Sequence, residues 1–562
     1  MKTPGSLRSL TVTMRGPAQR LRDLLPTRDD LTAARSNPRQ DLIAGLTVAI
    51  VALPLALAFG VASGLGAQAG LATAVIAGVL AAVFGGSNLQ VSGPTGAMTV
   101  VLIPVVDAHG ATGVLMVGLL AGLVLIAMAL ARVGRFVRYL PVSVIEGFTA
   151  GIAVVITLQQ IPSALGVQDA TGDKVWAVAV DAVRRFADRP HLAPLVVSLG
   201  VMSLMLVGAR WHPRVPFSLI AIAIATAVAH FSDLDLITLG RLPRNLSAPD
   251  LSFVDLGSVS VLATAALAIA ALAALESLLC ATVADAMTVN ERHDPDRELF
   301  GQGLANVVVP MFGGIPATAA IARTAVNVRA GAGSRLAAVS HALILLLLVF
   351  VAAPLVGAIP LAALAGVLFA TCVRMVEASA LISLVRSTRA DGITVCLTFA
   401  VTVALDLISA VGVGVGVAIL LALRSVAHSA RIDEVTLDGG DHNDEERALL
   451  AEHVVAYRID GPLFFAAAHR LLLELPDLVE VDIVILRMSR VTTLDATGAR
   501  VLDDTITRLE RRNITVLLTG LAPAHEEVLT SLGVGGRLRE AGRIFADTPS
   551  AIHAARQLLA SR

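Results

Sequence analysis

The sequence predicts a polytopic α-helical membrane protein that ends in a separate α/β domain. Three observations predict it. Hydrophobic residues make up 56% of the 562 residues and charged residues only 15%, and the mean hydropathy is +0.78, too apolar for a soluble chain of this length. Apolar runs of membrane-spanning length fill the stretch from Leu42 to Leu423, where roughly 20 apolar residues suffice for one crossing. From Arg431 to Arg562 the composition becomes charged and mixed. The expected division is an N-terminal cytoplasmic segment at 1–40, a transmembrane domain at 41–428, a linker at 429–449 and the α/β domain at 450–562.

Residues 1–40 are rich in Arg but lack the apolar core and small-residue cleavage site of a signal peptide. Fourteen candidate spans follow, at 42–60, 66–84, 93–108, 112–131, 142–161, 193–209, 216–231, 259–283, 299–311, 318–329, 337–355, 360–373, 391–405 and 407–423. The distribution of arginine supports this count. With the N-terminus inside, Arg132/Arg135/Arg138, Arg210/Arg214, Arg292/Arg297, Arg329/Arg335, Arg374/Arg386/Arg389 and Arg424 all fall on the cytoplasmic side. Their expected role is topological. A net charge of −1, with no basic face left over, argues against a nucleic-acid partner. Cys280, Cys372 and Cys396 lie in apolar spans without metal-type spacing and are expected to be buried small side chains.

Fourteen spans divide into two sevens, and an odd number per half inserts the second half upside down relative to the first. The two short spans are the third and the tenth, equivalent places in such an inverted repeat. Each follows a Gly-rich, partly extended approach, FGGSNLQVSGPT at 84–95 and FGGIPAT at 312–318. Paired interruptions of this kind point to a binding site. Non-helical backbone at membrane depth must be enclosed by protein or line a cavity. If both approaches reach the midplane, two helix N-termini face one another there, and their free N–H groups and positive dipole ends attract an anion. Arg323 stands inside the second short helix among small residues, ATAAIART, where a charge costs roughly 2.5–3.5 kcal/mol on insertion scales and needs a partner. Glu276 lies inside the eighth span. An ionised carboxylate is costly there, so a proton is expected to neutralise it, with pairing to Arg323 the competing structural role. No Walker A sequence, metal-ligand cluster or HExxH motif occurs, so no cofactor, metal or enzymatic activity is expected.

Several motifs carry a family resemblance: AGLTVAIVALPLALAF at 44–59, VSGPTGAMT at 91–99, LESLLCATVAD at 275–285, ELFGQGLAN at 298–306 and GGIPATAAIARTAVN at 313–327. On these residues the chain resembles the SulP anion-transporter family, and the last three motifs are most similar to its DauA-like C4-dicarboxylate branch. The resemblance implies a UraA-like arrangement in which a core domain moves against a gate domain, with a small anionic substrate held between the third and tenth helices. It implies Phe59, Thr95, Gly96, Thr318, Ala322 and Arg323 as substrate-binding positions, and a homodimer. Leu55 and Ala322 stand where many relatives have Gln and Ser, which implies a drier pocket that disfavours sulfate; the branch resemblance puts dicarboxylate first, then bicarbonate, then sulfate. The sodium-dependent bicarbonate branch has Asp and, one turn later, Thr where this chain has Glu276 and Cys280. A thiol is a poor ligand for a hard cation, so Glu276 is expected to couple transport to protons.

From Val454 short β-branched runs at 454–459, 481–488 and 514–519 alternate with helical stretches at 497–511 and near 523–533 and 548–560, the pattern of a small α/β domain. It resembles a STAS domain, with GPLFFA at 461–466 and the turn LDATG at 494–498. Soluble relatives carry a phosphorylated serine in that turn, where Ala496 and Thr497 stand here; helix capping by Asp495 or Thr497 accounts for these residues. Gly439 to Arg447 reads as a solvated acidic linker. The expected function is secondary anion transport across the cytoplasmic membrane, with an anion-binding sensor or scaffold signalling through the STAS domain as the alternative class.

Overall fold

The computed structural model describes residues 24–135, 141–172, 174–212, 215–232, 234–240, 248–288, 291–405, 407–435, 453–465 and 481–561. Residues 1–23, Arg138, Arg214, Ala466 and the linker from 436 to 449 lie outside the described residues. The chain divides into two compact units between Val415 and Gly416.

The first unit is helical. A short helix α1 (Arg28–Ser36) opens on a capping box between Thr27 and Asp30, and α2 (Pro38–Ala62) carries proline in its first turn, where its missing N–H costs nothing. Next come α3 (Ala67–Phe84), strand β1 (Ser92–Gly93) and α4 (Gly96–Leu130), which breaks at Gly110 with φ 65°. The break falls between the expected third and fourth spans. The remaining helices of the first half are α5 (Val142–Leu165), α6 (Val175–Asp188), α7 (Leu192–Trp211) and α8 (Phe217–Phe231). The second half contains α9 (Val259–Ala286), α10 (Pro295–Val308), strand β2 (Thr318–Ala319), α11 (Ile321–Arg329), α12 (Arg335–Gly357), α13 (Leu361–Met375), α14 (Ala378–Ser387), α15 (Arg389–Ala404) and α16 (Leu407–Ser429). Among the described residues eight helices are long and apolar enough to cross a membrane, and α8 is a shorter apolar helix.

Each expected span falls on one of these helices, the third and fourth sharing the broken α4, and three further helices, α1, α6 and α14, went unread. The short spans begin later than the hydropathy suggested, at Gly96 and Ile321, because residues 92–93 and 318–319 form strands instead. β1 and β2 pair antiparallel, Ser92 opposite Ala319 and Gly93 opposite Thr318, as two oppositely inserted halves require. Helix packing around them relies on close backbone approach. A Cβ on Gly122 of α4 would stand 2.7 Å from the Gly303 carbonyl of α10. Cys280 and Cys372 are buried as expected, but Cys396 on α15 is exposed, because its side of that helix packs against nothing in this unit.

The second unit takes in the last part of α16 and is built on a five-stranded sheet in the order β3 (Arg431–Val435), β4 (Val454–Leu463), β5 (Ile483–Leu494), β6 (Thr515–Thr519) and β7 (Ile544–Phe545). β3 is antiparallel to β4 and the rest are parallel. Residues 483–486 are fully buried, as a central parallel strand covered on both faces should be. α17 (Ala496–Arg511), α18 (Pro523–Ser531) and α19 (Val534–Glu540) supply one face, and α20 (Thr548–Ala560) the other. Strand β3 occupies the start of the stretch read from sequence as linker.

Candidate functional site

The site is built where the two extended approaches cross. β1 delivers the chain into the N-terminus of α4 and β2 into that of α11. Neither N-terminus is capped by a side chain: the N-cap Thr95 makes no capping bond, and the N-cap of α11 is Ala320. Their first-turn N–H groups and dipole ends are therefore available to a ligand. Thr95 instead donates its hydroxyl to Glu276 Oε2 at 3.0 Å, which ties the end of α4 to α9.

Arg323 is 1% exposed. Its Nη2 donates to the Pro94 carbonyl, whereas Nε and Nη1 have no hydrogen-bond partner. Among the described residues no ion pair joins it to Glu276 or to any other carboxylate. The guanidinium lies over Gly93, whose φ of 158° and missing Cβ leave that space open. The competing structural role for Glu276, an ion pair with Arg323, is not seen among the described residues in this conformation. Buried polar atoms of this kind are rare and call for an explanation, and a ligand is one.

The other expected positions distribute unevenly. Phe59 is buried and its ring faces Gly96, where a Cβ would stand 3.1 Å from Cε1; Ile156 of α5 presses on the same glycine. Thr318 is fully buried and donates to the Ala273 carbonyl of α9 at 3.2 Å, so its hydroxyl is already committed. Ala322 is exposed, one position before the buried Arg323 on α11. Cys280 donates to Thr324 Oγ1 at 3.1 Å, and that hydroxyl also accepts the Val91 amide at 3.0 Å. Arg323, Thr95, Gly96, Phe59, Thr318 and Glu276 therefore share one region, with Ala322 at its edge.

Sequence reading missed the residues that hold the approaches in place. Glu298, Gln302 and Asn306, one turn apart on α10, are each 2% exposed or less. Glu298 accepts from the Gly86 amide at 2.9 Å, the Ser87 amide at 3.3 Å and Gln90 Nε2 at 2.8 Å. Gln302 Nε2 donates to Ser92 Oγ at 2.6 Å and to Glu298 Oε1 at 3.0 Å. Asn306 accepts the Ala317 amide at 2.8 Å and donates to the Ala317 carbonyl at 2.9 Å. The available signal was three strongly polar residues at i, i+4 and i+8, one face of a short helix.

A second buried cluster lies at the starts of α10 and α12. Asp30 of α1 bridges Arg297 at 2.7 Å and Arg335 at 3.2 Å. Arg335 also donates to Asn88 at 2.9 Å and to the carbonyls of Ala82, Val83 and Gly85 that end α3. Burial works to raise the Asp30 pKa, but the Arg297 hydrogen bond, the Thr27 amide and the charges of Arg335 and Arg297 outweigh it and hold the carboxyl at about 2. These two arginines, expected to be merely topological, are structural clamps.

Opposed half-helices in a helical membrane unit, followed by an α/β domain, define the class: a multi-pass anion transporter with a separate C-terminal α/β domain. The chain belongs to the sulfate permease family, whose profile matches residues 39–398, and a STAS domain matches residues 448–551. It is 36% identical over 508 residues to YvdB of Bacillus subtilis, named as a candidate sulfate transporter, covering 88% of this chain and 94% of that one. It is 31% identical over 519 residues to the bicarbonate transporter BicA of Synechocystis, covering 89% and 91%. The inward-facing murine Slc26a9 anion transporter superposes with a TM-score of 0.79 at 17% identity, covering 98% of this chain and 96% of that one, a likeness of fold. These relatives are named for sulfate and bicarbonate, which leaves the expected C4-dicarboxylate cargo without support.

Proposed function

We propose that the chain is a secondary transporter that carries a small oxyanion, sulfate first, by alternating access. The observation that supports this reading is the buried Arg323, two of whose nitrogens lack partners beside two uncapped helix N-termini. Each N-terminus contributes roughly half a positive charge; with the guanidinium the sum is about two, which suits a dianion once a proton neutralises Glu276. Phe59, Thr95, Gly96, Thr318 and Ala322 complete the proposed binding region, and the relationship to YvdB favours sulfate. Bicarbonate is the second reading, favoured by the relationship to BicA. The multi-pass chain is placed in the cell membrane with its N-terminus and STAS domain in the cytoplasm, and it works as a homodimer.

Uptake of radiolabelled sulfate into proteoliposomes, competed by bicarbonate and by C4-dicarboxylates, tests the proposal. Saturable sulfate uptake inhibited weakly by dicarboxylates is expected. Stronger inhibition by bicarbonate than by unlabelled sulfate would reverse the order of the two cargoes, and tight anion binding without flux would replace the transporter by a membrane sensor.

A further inference from the structure

The crossing of β1 and β2 is too small to hold itself in place. Two paired residues on each strand fall far short of an independently stable hairpin, yet they fix where two helix N-termini meet. The bonds that supply the missing rigidity converge on one face of α10. Glu298 and Gln302 grip the first approach through Gly86, Ser87, Gln90 and Ser92, and Asn306 grips the second through both polar groups of Ala317. α10 thus touches both halves of the inverted repeat, and the β1–β2 pairing joins what it holds.

We infer that Gln302 and Asn306 are positioning residues that lock the two half-helix N-termini into one rigid body and thereby set anion affinity without touching the anion. This rests on reading those N-termini as the anion site. A loosened approach lets its helix end drift away from Arg323 and from the opposite end, so the three sources of positive potential no longer coincide. Because the strands are paired, a bond lost on one approach is felt on the other.

The test uses the full chain and two readouts. Gln302→Met removes the donor at nearly constant volume, and Ser92→Ala removes only its partner's hydroxyl. Hydrogen exchange of residues 86–95 and 313–320, measured without any anion, is expected to rise in both segments in either variant. Half-saturation for sulfate uptake is expected to rise about tenfold in Gln302→Met with the maximal rate little changed. Adding Ser92→Ala should make it little worse, because Gln302 acts partly through Ser92. Asn306→Asp, which keeps the acceptor for the Ala317 amide, should fall between wild type and Asn306→Leu. Faster exchange confined to residues 86–95 overturns the coupling, and faster exchange in both segments with unchanged half-saturation overturns the positioning role. Should Gln302→Met misfold, Ser92→Ala carries the same comparison. Wild-type protein that takes up neither sulfate nor bicarbonate defeats the functional reading, while the exchange data still decide whether α10 couples the approaches.

Discussion

Arg323 and Arg335 stand close together in sequence and are buried to a similar degree, 1% and 7% exposed, but their surroundings differ. Arg335 has a carboxylate, a side-chain amide and three carbonyls arranged around it. Arg323 has the Pro94 carbonyl and two nitrogens left without partners. A buried guanidinium that its own chain satisfies holds structure together, whereas one left short of acceptors has its binding capacity held back for something else. Burial and residue type are the same in both cases, so the discriminating quantity is the completeness of the hydrogen-bond set.

The contrast can be broken most severely at Arg323. Arg323→Ala should remove a charge-assisted contact worth about 1.5–3 kcal/mol, hence at least about tenfold in anion affinity, with the melting temperature little altered. Unchanged affinity in a folded variant would remove Arg323 from the site. Asp30→Asn should do the opposite, costing about 3 kcal/mol of stability by leaving two guanidiniums without their carboxylate while anion affinity stays near wild type. The Asp30 pKa is depressed to about 2, so its contribution is complete above the ordinary carboxylate value and disappears as pH falls toward 2. Melting curves in detergent should show wild type losing more stability over roughly pH 4 to 2 than Asp30→Asn, so that the two curves converge toward pH 2; parallel curves would assign the acid lability elsewhere.

Much of the fold was legible because membrane insertion forces apolar length into the sequence, and the paired Gly-rich interruptions marked the crossing of β1 and β2 that the proposed site occupies. What stayed hidden has physical causes. α6 and α14 are too polar or too short to register as spans. β3 lies in a stretch whose charge suggested a linker, and pairing with β4 decided its state. The α10 stripe was read as family signature rather than chemistry, because which backbone groups its side chains meet depends on folding the two approaches around it. Likewise, nothing in the composition around Arg297 and Arg335 announced that Asp30 reaches both.

Finer probes should sharpen the contrast. Under the proposed proton coupling through Glu276, uptake should rise with an inward proton gradient and ignore sodium, and Glu276→Gln should lose the pH dependence. Sodium-stimulated uptake at fixed pH would sink the idea. The smallest effect is expected from removing the STAS domain. Both arginine clusters lie before Leu407, so a chain ending near Ser429 should bind anion with wild-type affinity; loss of binding in a folded truncation would place part of the site beyond it.

The Asp30 clamp also has a consequence for the order of events during synthesis. Asp30 is made 267 residues before Arg297, and translation at 5–20 residues per second separates the two by on the order of tens of seconds. Throughout that interval the first half of the protein is being made and inserted with its acidic fastener open. Closure requires that the starts of α10 and α12, which carry Arg297 and Arg335, emerge on the same side as Asp30, so a chain that inserted its second half in the wrong orientation could not make it. The clamp can therefore close only in molecules whose two halves have brought Asp30, Arg297 and Arg335 to one side of the membrane.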